Sequence, residues 1–355
     1  MSKAEFIDNE ELLKKIDRSG MLSAVSQTPE MLLQAERISA GVSLPRPGKI
    51  SQVLVAGMGG SAIAGDILSD LFLKKAAVPL QTMRNYNLPG FVGPETLLFA
   101  LSYSGDTEEV LSVVREAEGR KAKIICVTSG GKLKEIAENK RYPLFLIPGG
   151  YQPRAALPYL LIPLIVCLGK FEVVPLLSEE LKETVALLRR LQEEYGFHRP
   201  LRSNPAKQLA KKLAGKIPFI FGCAGTTGAA ALRMKTQFNE NGKVTAIINL
   251  FPELDHNELV NISFLKRDNH NFSLIVLRDE EDSERMRKRI EITKSLITRQ
   301  LGGAIEIVSQ GRSPLARSMS LIFFGDYVSV YLALQQQIDP TPVDVISRLK
   351  KELTR

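Results

Sequence analysis

The chain has 355 residues, enough for two or three domains that each bury a core. Its 44% hydrophobic and 24% charged residues are typical of a globular protein, and no apolar run approaches the ~20 residues that cross a bilayer, so no membrane partner is expected. The formal charge of +8 suits an anionic ligand. Because the basic residues are spread along the chain without an aromatic-rich basic motif, nucleic acid is not the expected partner.

The cysteines indicate a reducing compartment. Cys126, Cys167 and Cys223 lie far apart on apolar stretches and form no CxxC pair, which predicts buried free thiols. The acidic, polar start MSKAEFIDNEELL does not resemble a signal peptide. Both features predict a cytoplasmic protein.

The first half of the chain predicts a helical segment followed by an alternating α/β domain. Residues 1–48 form the helical segment, which PRPG at its end separates from the first strand, and residues 49–170 form the domain. Its predicted strands are 52–56, 78–83, 97–101, 123–127 and 144–147. Its predicted helices are 62–73, 107–118, 132–138 and 158–169. The alternation predicts a parallel, doubly wound sheet whose ligand binds beyond the carboxyl ends of the strands.

The second half predicts another domain of the same kind. A connecting helix at 177–195 and a linker fill 171–204, and residues 205–355 form the second domain. Its predicted strands begin at 217 and follow at 244–248, 272–277 and 304–308. Its predicted helices after the first turn are 282–299, 314–336 and 343–353. The run IPFIFGCAGTTGAAALRMKTQF repeats the strand, glycine turn and helix of VLVAGMGGSAIAGDIL, so two copies of one α/β unit, with flanking helices, are the simplest fold.

The first glycine turn predicts an anion site. In VLVAGMGGSAIAGDIL a buried strand leads into Gly57-Met58-Gly59-Gly60-Ser61 and then into an apolar helix. Glycine lets a ligand approach the main chain, and the helix directs free N–H groups and its positive dipole end at the turn. We therefore expect the amides of Gly59 and Gly60 and the hydroxyl of Ser61 to bind a phosphate.

A second polar loop follows the neighbouring strand, in LSYSGDTEEVL. Ser102, Ser104 and Thr107 are placed there to donate to the oxygens of a terminal phosphate. Thr107 could instead be an ordinary helix cap and Ser104 part of a turn. Two such loops at adjacent strand ends favour the phosphate interpretation.

The first turn also satisfies the dinucleotide pattern G-x-G-x-x-A, in Gly57, Gly59 and Ala62. The second strand ends at Met83-Arg84-Asn85, without the carboxylate that usually holds the ribose of NAD. Arg84 would permit NADP, so an NADP-dependent oxidoreductase stays an alternative.

GMGGSA followed by SYSGDT resembles the sugar isomerase (SIS) domain, which binds phosphosugars. With PRAALPYL at 153–160, NENGK at 239–243 and PELDHNE at 252–258, the chain from about residue 50 onward resembles the bifunctional phosphoglucose/phosphomannose isomerases, a two-SIS-domain branch of the phosphoglucose isomerase superfamily. The resemblance implies an isomerase without a cofactor that interconverts glucose 6-phosphate and mannose 6-phosphate with fructose 6-phosphate through a cis-enediolate.

The resemblance also implies roles for residues of the second half. Glu240 would shuttle the proton, Arg154 would stabilise the enediolate, and His256 would open the sugar ring from across a homodimer interface. Lys350 of the last helix would reach the ring oxygen, although Arg348 and Lys351 are near enough to leave the register open. Thr341, before that helix, would help to shape the sugar pocket.

Each of these residues also has a plain structural interpretation. Glu240 could be a solvated residue before an Asn-Gly helix stop, His256 a loop histidine near carboxylates, Arg154 a surface arginine, and Lys350 a complement to the helix dipole. The three histidines are dispersed at 198, 256 and 270, and no cluster has metal-ligand spacing, so no metal is expected.

Three other functions compete with this prediction. A non-catalytic SIS protein that senses phosphosugars would need the phosphate loops but not Glu240, His256 and Arg154 together. The NADP oxidoreductase is less consistent with the two hydroxyl-rich loops. An isomerase of another phosphosugar, such as an amino sugar, would keep the whole site.

Overall fold

The computed structural model describes residues 7–266 and 270–353. The helices are α1 Glu10–Ile16, α2 Met21–Ser26, α3 Thr28–Ala40, α4 Gly59–Phe72, α5 Glu108–Gly119, α6 Gly131–Lys140, α7 Leu157–Lys170, α8 Ser178–Tyr195, α9 Pro205–Leu213, α10 Gly228–Glu240, α11 Glu258–Ser263, α12 Glu284–Ile297, α13 Pro314–Gln335 and α14 Asp344–Leu353. The strands are β1 Gln52–Ala56, β2 Leu80–Met83, β3 Thr96–Leu101, β4 Lys123–Thr128, β5 Leu144–Leu146, β6 Ile217–Cys223, β7 Ile247–Phe251, β8 Phe272–Arg278 and β9 Ala304–Val308. Short 3₁₀ turns occupy Pro153–Ala155, Leu201–Ser203 and Glu253–His256. Residues 1–6 of the predicted helical segment 1–48 lie outside the described residues. So do residues 267–269 and 354–355 of the predicted second domain, 205–355.

The strands form two parallel sheets, which confirms the predicted α/β class. The first has the order β2-β1-β3-β4-β5 and the second β7-β6-β8-β9. In the first sheet the chain runs from β1 to β2 on one side and then returns to β3 on the other side of β1, so the loops after β1 and β3 border one crevice. In the second sheet the loops after β6 and β8 border a crevice in the same way. Every strand pair described is parallel, with Val53 facing Leu80 on one side and Leu97 on the other. The central strands are buried on both faces because helices cover both sides.

Two of the sequence predictions need correction. The predicted helix 62–73 begins at Gly59, so the glycine turn belongs to the first helical turn itself. The predicted strand 244–248 is displaced to Ile247–Phe251. Val244 donates its N–H to the carbonyl of Phe238 at 2.9 Å, so this residue closes the end of α10 instead of joining the sheet.

Helix α13 joins the two halves. Residues 315–334 are all buried, so this helix has no solvent face over most of its length. It packs against α8, α9 and α10, and one apolar cluster contains Val55 of the first sheet, Ile220 of the second sheet and Leu332 of α13. Because both halves share this core, the two crevices keep a fixed relation to each other.

The cysteines are buried and free, as predicted. Burial in apolar surroundings raises the pKa of Cys126 and of Cys223 to about 12, and it raises the pKa of Cys167 as well. Among the described residues, we find no helix with the length and apolar character needed to cross a membrane.

Candidate active site

The first glycine turn opens the crevice at the carboxyl end of β1. Met58 is extended at the N-cap, Gly59 takes a positive φ of 49°, and no side chain caps α4 by a hydrogen bond. Ser61 is buried at 5% exposure in the first turn. The helix therefore presents main-chain donors that no side chain of its own N-cap has taken.

Gly60 holds this turn against the 3₁₀ turn that carries Arg154. A Cβ on Gly60 would lie 2.9 Å from the Arg154 nitrogen and 2.9 Å from the Pro153 carbonyl carbon. Both contacts are to backbone, which cannot swing away, so only glycine permits this approach. The predicted phosphate turn and the predicted enediolate-stabilising arginine are thus in direct contact.

The second polar loop is organised by Ser102, which is fully buried. Its Oγ accepts from the N–H of Gly105 at 3.0 Å and of Thr107 at 3.3 Å, and it lies 2.7 Å from Thr107 Oγ1. Since both lone pairs of Ser102 Oγ are engaged, its proton goes to Thr107 Oγ1, and the Thr107 hydroxyl proton is left to be donated elsewhere. Ser102 shapes the loop from beneath.

Thr107 and Ser104 lie at the surface of that loop. Thr107 is the N-cap of α5, but its side chain makes no capping hydrogen bond, which disfavours the helix-cap alternative. Ser104 is exposed, and its Oγ accepts from the Asp106 N–H at 3.3 Å. The loop therefore offers the Thr107 and Ser104 hydroxyls at the mouth of an uncapped helix.

Arg154 and Glu240, which are 86 positions apart in sequence (240 minus 154), meet beside the first glycine turn. Arg154 Nη1 lies 3.5 Å from Glu240 Oε2, and the side chains are 3% and 29% exposed. Burial lowers the pKa of the Arg154 guanidinium, and the Glu240 carboxylate acts against that change. A guanidinium stays charged in proteins, so the pair places a fixed cation beside a carboxylate that solvent can reach.

Four acceptors fix the Arg154 side chain. Its Nε donates to Asn241 Oδ1 at 2.6 Å, and its Nη2 donates to the carbonyls of Pro340 at 3.0 Å and Thr341 at 2.8 Å. Nη1 reaches Gln152 Oε1 at 3.4 Å. Arg154 is therefore not a surface arginine.

A buried ion pair supports the Arg154 backbone. Arg233 Nη2 donates to the Arg154 carbonyl at 2.7 Å, and its guanidinium forms two bonds with the Asp326 carboxylate, at 3.0 and 2.7 Å. Burial raises the pKa of Asp326, while Arg233 and Gln237 stabilise its charged form. The cost of burying both ions is offset only because the two are joined to each other by these hydrogen bonds.

The turn before the last helix closes the same cluster. Lys243 donates its Nζ to the carbonyls of Glu240 and Pro340, and to that of Pro342 at 2.7 Å. Thr341 is 8% exposed, and its Oγ1 is buried without a hydrogen-bond partner among the described residues. Thr341 therefore contacts Arg154 through its main-chain carbonyl and not through its hydroxyl.

His256 and Lys350 stand apart from this cluster. His256 ends the turn Glu253–His256 and is exposed, and Lys350 is exposed on α14, of which no residue is buried. In the described part of the chain, no hydrogen bond or ion pair links either of them to Glu240 or Arg154. Their predicted roles and the register of the lysine stay predictions.

The dinucleotide alternative loses one of its two supports. Arg84, the residue that would bind the 2′-phosphate of NADP, pairs with the carboxylate of Asp66 on α4. For metals, no group of three or more His, Cys, Asp or Glu side chains in residues 7–266 and 270–353 is arranged to hold an ion.

Sequence reasoning missed the residues that hold the site together. The sequence predicts only a helix stop at Asn241 and assigns no role to Arg233, Lys243 or Asp326. One signal was available: Asp326 is the only acidic residue in the apolar run of 314–335, and a buried carboxylate needs a partner.

Two family models match parts of the chain. A family model described as SIS domain matches residues 49–148, and one described as bacterial phospho-glucose isomerase C-terminal SIS domain matches residues 202–353. The chain is similar to the bifunctional phosphoglucose/phosphomannose isomerase of Caldicellulosiruptor bescii, with 43% identity over 94% of this chain and 98% of that protein. It is also similar to the D-glucosamine-6-phosphate 4-epimerase of Sulfolobus acidocaldarius, with 30% identity over 87% of this chain and 91% of that protein.

Among solved structures, a glucose-6-phosphate isomerase like protein from Thermus thermophilus aligns over 97% of this chain and 98% of its own, with a TM-score of 0.65 and 19% identity. That likeness shows a shared fold of two SIS domains and no more. The identity and coverage of the Caldicellulosiruptor bescii protein go further: this chain belongs to the family of bifunctional phosphoglucose/phosphomannose isomerases.

Proposed function

We propose that this protein is an isomerase that interconverts glucose 6-phosphate and mannose 6-phosphate with fructose 6-phosphate. The observation that carries the proposal is the 3.5 Å pair of Arg154 and Glu240, set directly against the glycine turn through Gly60. A phosphosugar sensor would need the phosphate loops but not Glu240, His256 and Arg154 together. An accessible carboxylate can transfer a proton, and a buried arginine held by four acceptors beside it can stabilise the oxyanion that develops.

The phosphate of the substrate binds at the two uncapped helix starts. The Gly59 and Gly60 amides and Ser61 hold it from one side, and the Thr107 and Ser104 hydroxyls from the other. Ser102 acts through Thr107: the Ser102 hydroxyl donates to Thr107 Oγ1, which leaves the Thr107 hydroxyl proton for the phosphate. In this proposal C1 and C2 of the sugar lie on the side of the phosphate that faces Arg154.

Glu240 then transfers one proton between C1 and C2. It removes the proton from C2 of the aldose, and the electron pair forms the C1–C2 double bond and leaves negative charge on O1. A proton passes from the O2 hydroxyl to O1, the carbonyl forms at C2, and the protonated Glu240 returns its proton to C1 to give the ketose. Arg154 lies beside the oxygens on which negative charge develops and stabilises them. Rotation about C2–C3 presents either face of the enediolate, so one base serves the glucose and mannose epimers.

Ring opening is proposed to use a second copy of the chain. His256 is exposed, and so are Val260 on α11, at 63%, and Phe264 just after α11, at 86%. Large apolar side chains this exposed, next to a histidine suited to proton transfer near neutral pH, favour a homodimer in which His256 reaches the partner's site. Lys350 is exposed on the amphipathic helix α14 and is proposed to act at the ring oxygen.

The dimer proposal has a direct test. Glu240→Gln and His256→Ala each lose turnover alone, but a mixture of the two recovers about a quarter of the wild-type activity, because half of randomly formed dimers carry one intact site of two. Recovery that disappears when the subunits are crosslinked before mixing supports a shared site. No recovery in an exchanging mixture contradicts it.

The substrate test measures fructose 6-phosphate formation from glucose 6-phosphate and from mannose 6-phosphate in separate assays with EDTA, and the fate of D-glucosamine 6-phosphate in a third. Activity on the first two supports the proposal. Conversion of glucosamine 6-phosphate alone, at C4, would replace it with the reaction named for the Sulfolobus acidocaldarius relative. Three free buried thiols support a cytoplasmic location for the enzyme.

A further inference from the structure

The second glycine turn, after β6, is filled by a side chain of the first domain. Asp70, near the end of α4, accepts the Ala229 N–H at the start of α10 with its Oδ2 at 2.8 Å. The main chain of Gly225 donates to the same carboxylate. Thr227, the N-cap of α10, makes no capping hydrogen bond with its own side chain. Asp70 thus supplies the acceptor that this helix start lacks.

The two glycine turns of the repeat therefore differ. The turn after β1 is uncapped, whereas the turn after β6 holds a carboxylate where a phosphate would bind. Asp70 forms no ion pair with a lysine or arginine among the described residues. The cavity beside it is small, at about 80 Å³, and Arg317 next to it is already paired with Asp279 and Glu281.

This contact also ties together the two helices on which the proposed reaction depends. Helix α4 begins at the phosphate turn and has Asp70 near its C-terminal end. Helix α10 begins near Ala229 and ends at Glu240. Leu73, which follows α4, packs on Gly225: a Cβ there would lie 2.4 Å from Leu73 Cδ2, and Gly225 has a φ of +80°. The two helices are thus joined at both ends, through Gly60 and Arg154 at one and Asp70 at the other.

We infer that Asp70 is a positioning residue, an internal anion that occupies the second domain's helix start and sets Glu240 against the phosphate turn. The inference rests on the proposed function. From Ala229 to Glu240 the helix rises about 16 Å, so α10 moves as a rigid rod, and a shift at its start displaces the carboxylate at its end. Phosphate binding at α4 is unaffected by such a shift.

The test compares Asp70→Ala with Asp70→Asn and Asp66→Ala. Asp66 is the matched control, since it lies one turn earlier on α4 and pairs with Arg84 instead of α10. We expect Asp70→Ala to lower kcat about tenfold with KM for fructose 6-phosphate changed less than about threefold, because orientation is lost and phosphate binding is kept. Asp70→Asn retains an oxygen for the Ala229 N–H and stays within about twofold of wild type, as does Asp66→Ala.

Formate supplies the missing carboxylate and gives a readout that does not depend on catalysis. Formate should raise the Tm of Asp70→Ala more than the Tm of wild type or of Asp66→Ala. It should also restore part of the kcat that Asp70→Ala has lost. Equal formate responses in all variants, or equal kcat losses in Asp70→Ala and Asp70→Asn, would overturn the inference. If Asp70→Ala does not fold, amide exchange at Ala229 in Asp70→Asn decides: protection like wild type supports the contact, and loss of protection with unchanged kcat refutes the positioning role. If wild type does not isomerise either sugar, the formate shift in Tm still tests Asp70, while the proposed function fails separately.

Discussion

Replacing Asn241 with alanine should separate the positioning of Arg154 from the binding of phosphate. Asn241 is fully buried, and its Oδ1 accepts the Arg154 Nε at 2.6 Å while its Nδ2 donates to Ser329 Oγ at 3.0 Å. A hydrogen bond to a charged group contributes about 1.5–3 kcal/mol and a neutral one about 1 kcal/mol, so the free energy of unfolding should fall by about 2.5–4 kcal/mol.

The effect on turnover depends on the hydrogen bonds that Arg154 keeps in the Asn241→Ala variant. Arg154 keeps its bonds to the carbonyls of Pro340 and Thr341, so the guanidinium stays nearby but is free to rotate about them. A displacement of this kind costs about 100-fold in kcat. KM should change little, because both phosphate loops lie on other elements. Urea unfolding gives the stability, and steady-state formation of fructose 6-phosphate gives kcat and KM.

The matched control is Asn239→Ala. Asn239 lies two residues earlier, and its Nδ2 donates to the Val244 carbonyl at 2.9 Å, so it supports the same helix end without contacting Arg154. We expect this variant to lose stability while kcat stays within about threefold of wild type. If Asn239→Ala loses as much turnover as Asn241→Ala, or if Asn241→Ala keeps its kcat, the role given to the Arg154–Asn241 bond is wrong.

Three further predictions concern other parts of the molecule. Gly60→Ala places a Cβ against the Arg154 backbone, so it should lower the free energy of unfolding by about 1–3 kcal/mol and remove most of the isomerase activity. In the control Gly149→Ala the added Cβ meets nothing within 4 Å, so thermal denaturation and turnover should stay as in wild type. The three cysteines, buried and with raised pKa values, should not react with Ellman's reagent until urea unfolds the protein, and rapid labelling of the native protein would contradict that. Burial raises the pKa of Asp70 above its ordinary 3.8, so the pH-dependent part of the stability that its carboxyl contributes is fully present below pH 3.8 and is lost as the pH rises through the raised value. The unfolding free energy of wild type minus that of Asp70→Asn should therefore decrease over this interval, and a difference that increases with pH would refute the sign.

The sequence was informative wherever local chemistry determines the structure. Both glycine turns, the alternation of strands and helices and the repeat could be predicted, because glycine at a strand–helix junction and apolar periodicity act over a few residues. The strand at 244–248 was misplaced because Val244 has strong β propensity but its N–H closes α10. Residual errors of this kind arise where a tertiary hydrogen bond overrides a local preference.

The candidate site was predictable only in part, for the same reason. Glu240 and Arg154 came from a resemblance, and nothing local to either residue indicates that they lie 3.5 Å apart. Asp70 is one polar residue on an amphipathic helix, and its role depends on a helix start that comes 159 residues later in the chain. Contacts between distant segments leave no periodic signal in a single sequence.

The charges at the site account for the way in which Arg154 can serve the proposed reaction. In the resting protein Arg154 faces Glu240, and Arg233 faces Asp326, so the two buried arginines are balanced by two carboxylates. When Glu240 takes the proton it becomes neutral, and an equal negative charge develops on the enediolate oxygens. Arg154 then faces the enediolate in place of the carboxylate, with the same net charge around it and without moving, since Asn241 and the 340–341 carbonyls hold it. Because its environment does not have to reorganise, the full electrostatic stabilisation is available at the transition state.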